Sequence, residues 1–160
     1  MRRVLVVSDS HGNNENIRKA IKKAGKIDLM IHLGDVGYEF RQVETMAGVP
    51  TYMVAGNNDL GGFLRDMSII YIGSHKVLLT HGHRQHVHSG VSALRYLALE
   101  NECDIVMYGH THVPFLDEGD DVTILNPGSL TFPRQIGHEK TFLIMEIDEE
   151  ENITYIFDSI

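Results

Sequence analysis

Gly109-His110-Thr111-His112 puts two imidazoles one residue apart, directly after the apolar stretch 103–108. Alternate residues of an extended segment face the same way, so His110 and His112 can share one cleft. The ends of strands are where an α/β sheet gathers its chemistry. Four more apolar stretches finish in metal-ligand types: Asp9 with His11, then Asp35, Asn57 and His81. Together they offer two carboxylates, one amide oxygen and four imidazoles. Mixed oxygen and nitrogen donors suit Mn, Fe, Zn or Ni better than Ca, which takes oxygen almost exclusively. Seven donors exceed one tetrahedral zinc but suit two ions sharing a carboxylate, with Asp35 as the bridge. Two divalent ions set against two carboxylates leave a charge of about +2, matched to a hydroxide and a phosphate ester.

The elements that must carry these residues follow from periodicity. Residues 2–7 read as a first strand. Ile17, Ala20, Ile21 and Ala24 then fall at helical spacing, with Asn13 or Asn14 as N-cap and Gly25 as stop. Residues 28–33 form a second strand. Phe40, Val43, Met46 and Ala47 mark a second helix closed by Gly48, and residues 50–55 a third strand. Two successive strand–helix–strand units imply parallel pairing, which brings their polar ends to one edge. Residues 69–72 and 76–80 flank Gly73-Ser74 as a hairpin. Val91, Leu94, Leu97 and Ala98 give a third helix before strand 103–108. Residues 113–116, 122–125, 141–147 and 153–157 continue as mainly antiparallel strands. Two sheets packed face to face with helices outside would satisfy this order.

With 160 residues, 42% of them apolar, the chain fits one domain with a core, 1–160. No apolar run approaches the roughly 20 residues of a membrane span. The short apolar run after Arg2-Arg3 lacks a secretory leader's longer core. The single cysteine, Cys103, excludes an internal disulfide and suits a reducing cytoplasm. A formal charge of −8 argues against a stable nucleic-acid partner, which would need many Lys and Arg contacts to phosphate. The acidic run Asp148-Glu149-Glu150-Glu151 reads as a solvated turn. His32 reads as a satisfied core histidine, His75 as a hairpin residue, and His86, His88 and His138 as loop residues. His83 stands between a contact to site or substrate and a plain loop residue.

In order, Asp9-x-His11, Gly34-Asp35, Gly56-Asn57-Asn58-Asp59, His81-Gly82 and Gly109-His110-x-His112 resemble the calcineurin-like metallophosphoesterases. The likeness spans nearly the whole chain. With Asn126-Pro127-Gly128-Ser129 and Pro133-Arg134, it is similar to the small stand-alone bacterial and archaeal phosphodiesterases. The resemblance implies a four-layer αββα sandwich of two mixed β-sheets flanked by helices, with two metal ions, often Mn2+. One ion would take Asp9, His11, Asp35 and His112; the other would take Asp35, Asn57, His81 and His110. It implies attack of a metal-bound hydroxide on a small phosphodiester, in the cytoplasm, with a homodimer as the expected assembly. Many relatives carry His where this chain has Asn58, and that imidazole is thought to protonate the leaving group. Asn58 cannot, so Asn58 and His83 are expected as contacts to substrate or ligands, and the expectation is either esters with good leaving groups or another proton donor, His83 being the nearest in sequence. The alternatives are a phosphomonoesterase and a protein-binding scaffold: a eukaryotic retromer subunit is similar in fold with a degenerate metal site. Here every expected ligand is present.

Overall fold

Arg2–Val7 forms β1, and its alternate residues serve different layers. Val4 and Val6 face the second sheet, whereas Leu5 and Val7 face the helices. The computed structural model describes residues 1–160. The other strands are β2 (Leu29–His32), β3 (Thr51–Met53), β4 (Met67–Ile72), β5 (His75–Thr80) and β6 (Ile105–Met107). They are followed by β7 (Pro114–Glu118), β8 (Thr123–Pro127), β9 (Thr141–Ile147) and β10 (Ile153–Ser159). The helices are α1 (Asn14–Ala24), α2 (Phe40–Ala47) and α3 (Ser92–Glu100).

One sheet runs β10-β9-β1-β2-β3, the other β4-β5-β6-β8-β7. β1, β2 and β3 are parallel, with Val7 opposite His32 and His32 opposite Met53, so their C-terminal ends share one edge. β5, β6 and β8 are likewise parallel. The β6–β8 pairing departs from the mainly antiparallel expectation for the second half. After β6 the chain skips to the sheet edge as β7, and β8 returns into the gap, antiparallel to β7 and therefore parallel to β6. β3 is also shorter than the 50–55 stretch. Ala55 donates its N–H to the Arg65 carbonyl at 2.8 Å and leaves the ladder there.

Three apolar layers follow. Val4, Val6 and Ile31 meet Val77, Leu79 and Met107 between the sheets. Leu5, Val7 and Met30 pack under Ile17 and Ala20 of α1 and Val43 of α2. Leu78, Val106 and Ile124 pack under Leu94 and Ala98 of α3. Helices outside two facing mixed sheets make the four-layer αββα sandwich. Asn13 is the N-cap of α1: its side chain accepts from the Asn16 N–H at 3.1 Å. The acidic turn after β9 does more than face water. Glu151 Oε2 accepts from the Ser74 N–H at 2.8 Å, tying the β9–β10 turn to the β4–β5 hairpin of the other sheet. No helix is long and apolar enough to cross a membrane.

Candidate metal centre

The loops leaving β1, β2, β3, β5 and β6 converge where the two sheets meet at their C-terminal edges. Asp9 is fully buried. Its Oδ2 accepts from the Ser8 hydroxyl at 2.6 Å and from the His110 N–H at 3.1 Å. Its Oδ1 has no hydrogen-bond partner. Around that oxygen stand the Nε2 atoms of His112, His81 and His11, at 3.0, 3.8 and 3.9 Å. The imidazole tautomers explain the arrangement. His81 Nδ1 lies 2.7 Å from the Leu33 carbonyl, and His112 Nδ1 lies 2.7 Å from the Phe132 carbonyl. A carbonyl only accepts, so both Nδ1 atoms carry the proton and both Nε2 atoms have a lone pair for the centre. A buried carboxylate oxygen facing imidazole lone pairs is an arrangement that a cation completes.

One donor atom each from Asp9, His11, Asp35 and His112 lies within 4.8 Å of the other three. Donors bonded to one ion at about 2.0–2.2 Å stand at most about 4.4 Å apart, so a shift of a few tenths of an ångström brings all four within reach of one ion. Asp35 Oδ2 sits 3.7 Å from His11 Nε2 and 3.6 Å from His81 Nε2, between the two imidazoles. On the His81 side, Asn57 Oδ1 is 3.2 Å from His81 Nε2, and the His110 ring centre is 5.1 Å from that of His81. His81 thus adjoins both carboxylates of that group of four, and Asn57 and His110 adjoin His81.

Asn58 reaches the centre through Asp35. Its N–H donates to Oδ1 at 2.9 Å and its amide to Oδ2 at 2.7 Å. His83 lies in a 3₁₀ turn after β5, its ring 5.5 Å from His81 and 6.0 Å from His110. His86 and His88 are both exposed, as a solvent-facing loop predicts, and the His88 ring lies 4.7 Å from that of His110. His32 is satisfied as expected, its Nε2 being 2.8 Å from the Ser10 hydroxyl. Arg134 is exposed and touches the site only through its backbone, whose N–H donates to the His112 carbonyl at 3.1 Å.

Other residues assemble the centre without a prior hint from their type. Asp59 accepts from the N–H groups of Gly56, Val36 and Gly37 at 2.9, 3.1 and 2.9 Å, clamping the Asp35 loop to the Asn57 loop. The signal was its fixed place in Gly56-Asn57-Asn58-Asp59. The Ser129 hydroxyl donates to the Asp9 carbonyl at 2.9 Å, and the Asn126 amide to the Gly109 carbonyl at 2.8 Å. Asn126-Pro127-Gly128-Ser129 thus joins the two ligand loops from below. Two glycines are required by close approach: a Cβ on Gly56 would fall on Asp35 Oδ1, and one on Gly109 on the Ser8 hydroxyl.

The charges are mutually adjusted. Burial opposes ionisation of Asp9, but His112 and the nearby His81 outweigh it and hold the carboxyl below its usual range. Burial likewise opposes protonation of His112, and the Asp9 carboxylate overcomes it, so that pKa is raised. For His110, burial and the neighbouring His81 and His88 lower the pKa to about 4, leaving a neutral imidazole at pH 7.

The calcineurin-like phosphoesterase superfamily domain matches residues 1–150. The probable metallophosphoesterase YsnB of Bacillus subtilis is 31% identical over 156 residues, covering 97% of this chain and 90% of that one. The phosphodiesterase MJ0936 of Methanocaldococcus jannaschii is 33% identical over 147 residues, covering 79% and 82%. Among solved structures, a predicted phosphoesterase of Streptococcus pneumoniae superposes with a TM-score of 0.86 at 29% identity, over 99% of this chain and 89% of that one. A Vps29 variant of Entamoeba histolytica, with a TM-score of 0.76 over 99% of each chain, is 21% identical and shares the fold alone. Sandwich, ligand order and relatives agree: the chain belongs to the calcineurin-like phosphoesterase superfamily, whose hydrolases are metal-dependent.

Proposed function

We propose that residues 1–160 act as one domain, a phosphodiesterase using two divalent ions, Mn2+ first among them. The observation that carries this reading is Asp35 Oδ2, within reach of both His11 Nε2 and His81 Nε2 at 3.7 and 3.6 Å, slightly nearer to each than Asp9 Oδ1 is. One carboxylate in reach of two imidazole groups is what a bridged pair of ions needs. Asp9, His11, Asp35 and His112 would hold one ion, and Asp35, Asn57, His81 and His110 the other. Two ions there would supply Lewis acidity: a water acidic enough to attack at neutral pH, and neutralisation of the phosphate oxygens.

The chain's own residues do the rest. The carbonyls of Leu33 and Phe132 fix the His81 and His112 tautomers. Asn58 aims both oxygens of Asp35. His83 stands beside His81 and His110, where its ring can meet a phosphate oxygen of the substrate. With no acid at position 58, the favoured esters have leaving groups that depart unprotonated. The relative named a phosphodiesterase supports the diester over the monoester. A scaffold reading rests on fold likeness alone, and the complete ligand set favours an enzyme. The working unit is read as cytoplasmic and dimeric, acting on a small substrate.

The metal count tests this reading. Equilibrium dialysis against Mn2+ with elemental analysis should give two ions per chain, and about one after His81→Ala. A single ion in the wild-type protein, or two retained by His81→Ala, contradicts it.

A further inference from the structure

Beside the centre, on the Asn58 side, lies a pocket of about 80 Å³ whose walls include Tyr38, Phe40, Asn58, Leu60, Phe63 and Leu64. Tyr38, Phe63 and Leu60 are 89, 76 and 74% exposed, an unusual concentration of large apolar side chains on one small patch. Phe40 and Leu64 pack against the core beneath α1 and α2, so the floor of the pocket is anchored. The Phe40 and Phe63 rings are stacked, 6.1 Å apart and 28° from parallel. Beyond Tyr38 and Phe63 the surface opens into a groove of about 450 Å³.

We infer that this pocket is a specificity subsite that takes an aromatic ring carried on the non-leaving ester arm of the substrate. The inference rests on the phosphodiesterase reading and deepens it. Continuity places the arm: Asn58 lines the pocket and also holds Asp35 Oδ2 at 2.7 Å, so a phosphorus atom at the centre sits one residue away. Charge defines its chemistry. No Lys or Arg lines the pocket, and its one carboxylate, Asp59, is engaged by three backbone N–H groups. The nearby cation, Arg41, stands 6.0 Å from the Phe40 ring and lines the outer groove, not the pocket, so the ligand that fits inside is a flat neutral ring against Tyr38 and Phe63.

Three mixed diesters with the same 4-nitrophenyl leaving group, and methyl, phenyl or thymidine-5′ as the other arm, test this with leaving-group chemistry held constant. In the wild-type protein kcat/KM should favour an aromatic arm over methyl by about tenfold, the scale of one base–aromatic stack. Phe63→Ala and Tyr38→Ala, both at exposed positions, should each bring that ratio towards one. Thymidine exceeding phenyl identifies a nucleoside arm; equality identifies any aryl arm. Saturation-transfer NMR of the metal-loaded protein should show the ring protons of phenylphosphonate receiving magnetisation, and Phe63→Ala should abolish it. Turnover of the methyl diester with no aromatic preference overturns the subsite alone. Absence of turnover for all three, with metal bound, overturns the phosphodiesterase reading, and the NMR result then decides the subsite separately.

Discussion

Five of the seven proposed ligands hold left-handed backbone: Asp9, His11, Asp35, His110 and His112, with φ of 53, 48, 53, 68 and 61°. Each such non-glycine residue costs roughly 1–3 kcal/mol, and it persists only where its surroundings over-determine it. Here the surroundings are on view: the Asp9 N–H donates to Gly34 O at 3.0 Å, and the His11 N–H to Asp35 O at 2.8 Å. Strain gathered on the residues proposed to bind metal is what pre-organisation looks like in a backbone. Asn58 gives this scale its test. If the missing imidazole is why good leaving groups are favoured, Asn58→His should raise the rate on an alkyl diester relative to an aryl one. The gain should be about tenfold or more, towards the 10² to 10⁴ that acid catalysis supplies. An unchanged ratio rules that explanation out. The ratio, and not the absolute rate, is the readout because Asn58 also holds Asp35.

At the scale of elements, β2 carries a pH dependence of stability. His32 is wholly buried, and burial, against the pull of Asp59, Asp9 and Asp35, lowers its pKa to about 4. A folded pKa below the unfolded value of about 6.5 means the unfolded chain takes up the proton first. Stability is therefore complete above pH 6.5 and is lost as pH falls towards 4, by up to about 1.4 kcal/mol per pH unit. For metal-free protein, the stability gap between wild type and His32→Gln should narrow between pH 8 and pH 5 in thermal melts. A constant gap contradicts the assignment. Which strands and α-helices exist was legible from hydrophobic period together with cap and turn residues, though not the two 3₁₀ turns. Period says which face of a strand is apolar, and so the three core layers could be anticipated. It does not say which strand neighbours which, and so the insertion of β8 between β6 and β7 was not visible. Nor did the acidic run after β9 reveal that Glu151 would reach Ser74. That bond depends on two turns meeting across the sandwich, and no local pattern encodes it.

For the molecule as a whole, the seven residue types and their order pointed to one cluster, and in the fold His81 links Asn57 and His110 to the group formed by Asp9, His11, Asp35 and His112. What the sequence withheld was how the support works: Asp59, Asn126 and Ser129 bond backbone groups of the ligand loops, and the Ser8 hydroxyl bonds the Asp9 carboxylate itself. The ring contact of His88 with His110 was hidden for a different reason: two 3₁₀ turns bend that exposed loop over the centre. The sandwich thus works as a frame that presents five loops to one point where its sheets meet. The most direct measurement is Mn2+-dependent hydrolysis of bis(4-nitrophenyl) phosphate and of 4-nitrophenyl phosphate, by wild type and Asp35→Asn. The diester should be cleaved faster than the monoester, and Asp35→Asn should lose about 10²-fold or more, the scale of removing one pre-organised polar group from such a site. Preference for the monoester, or no turnover with manganese, nickel, zinc or iron despite bound metal, would contradict the phosphodiesterase reading.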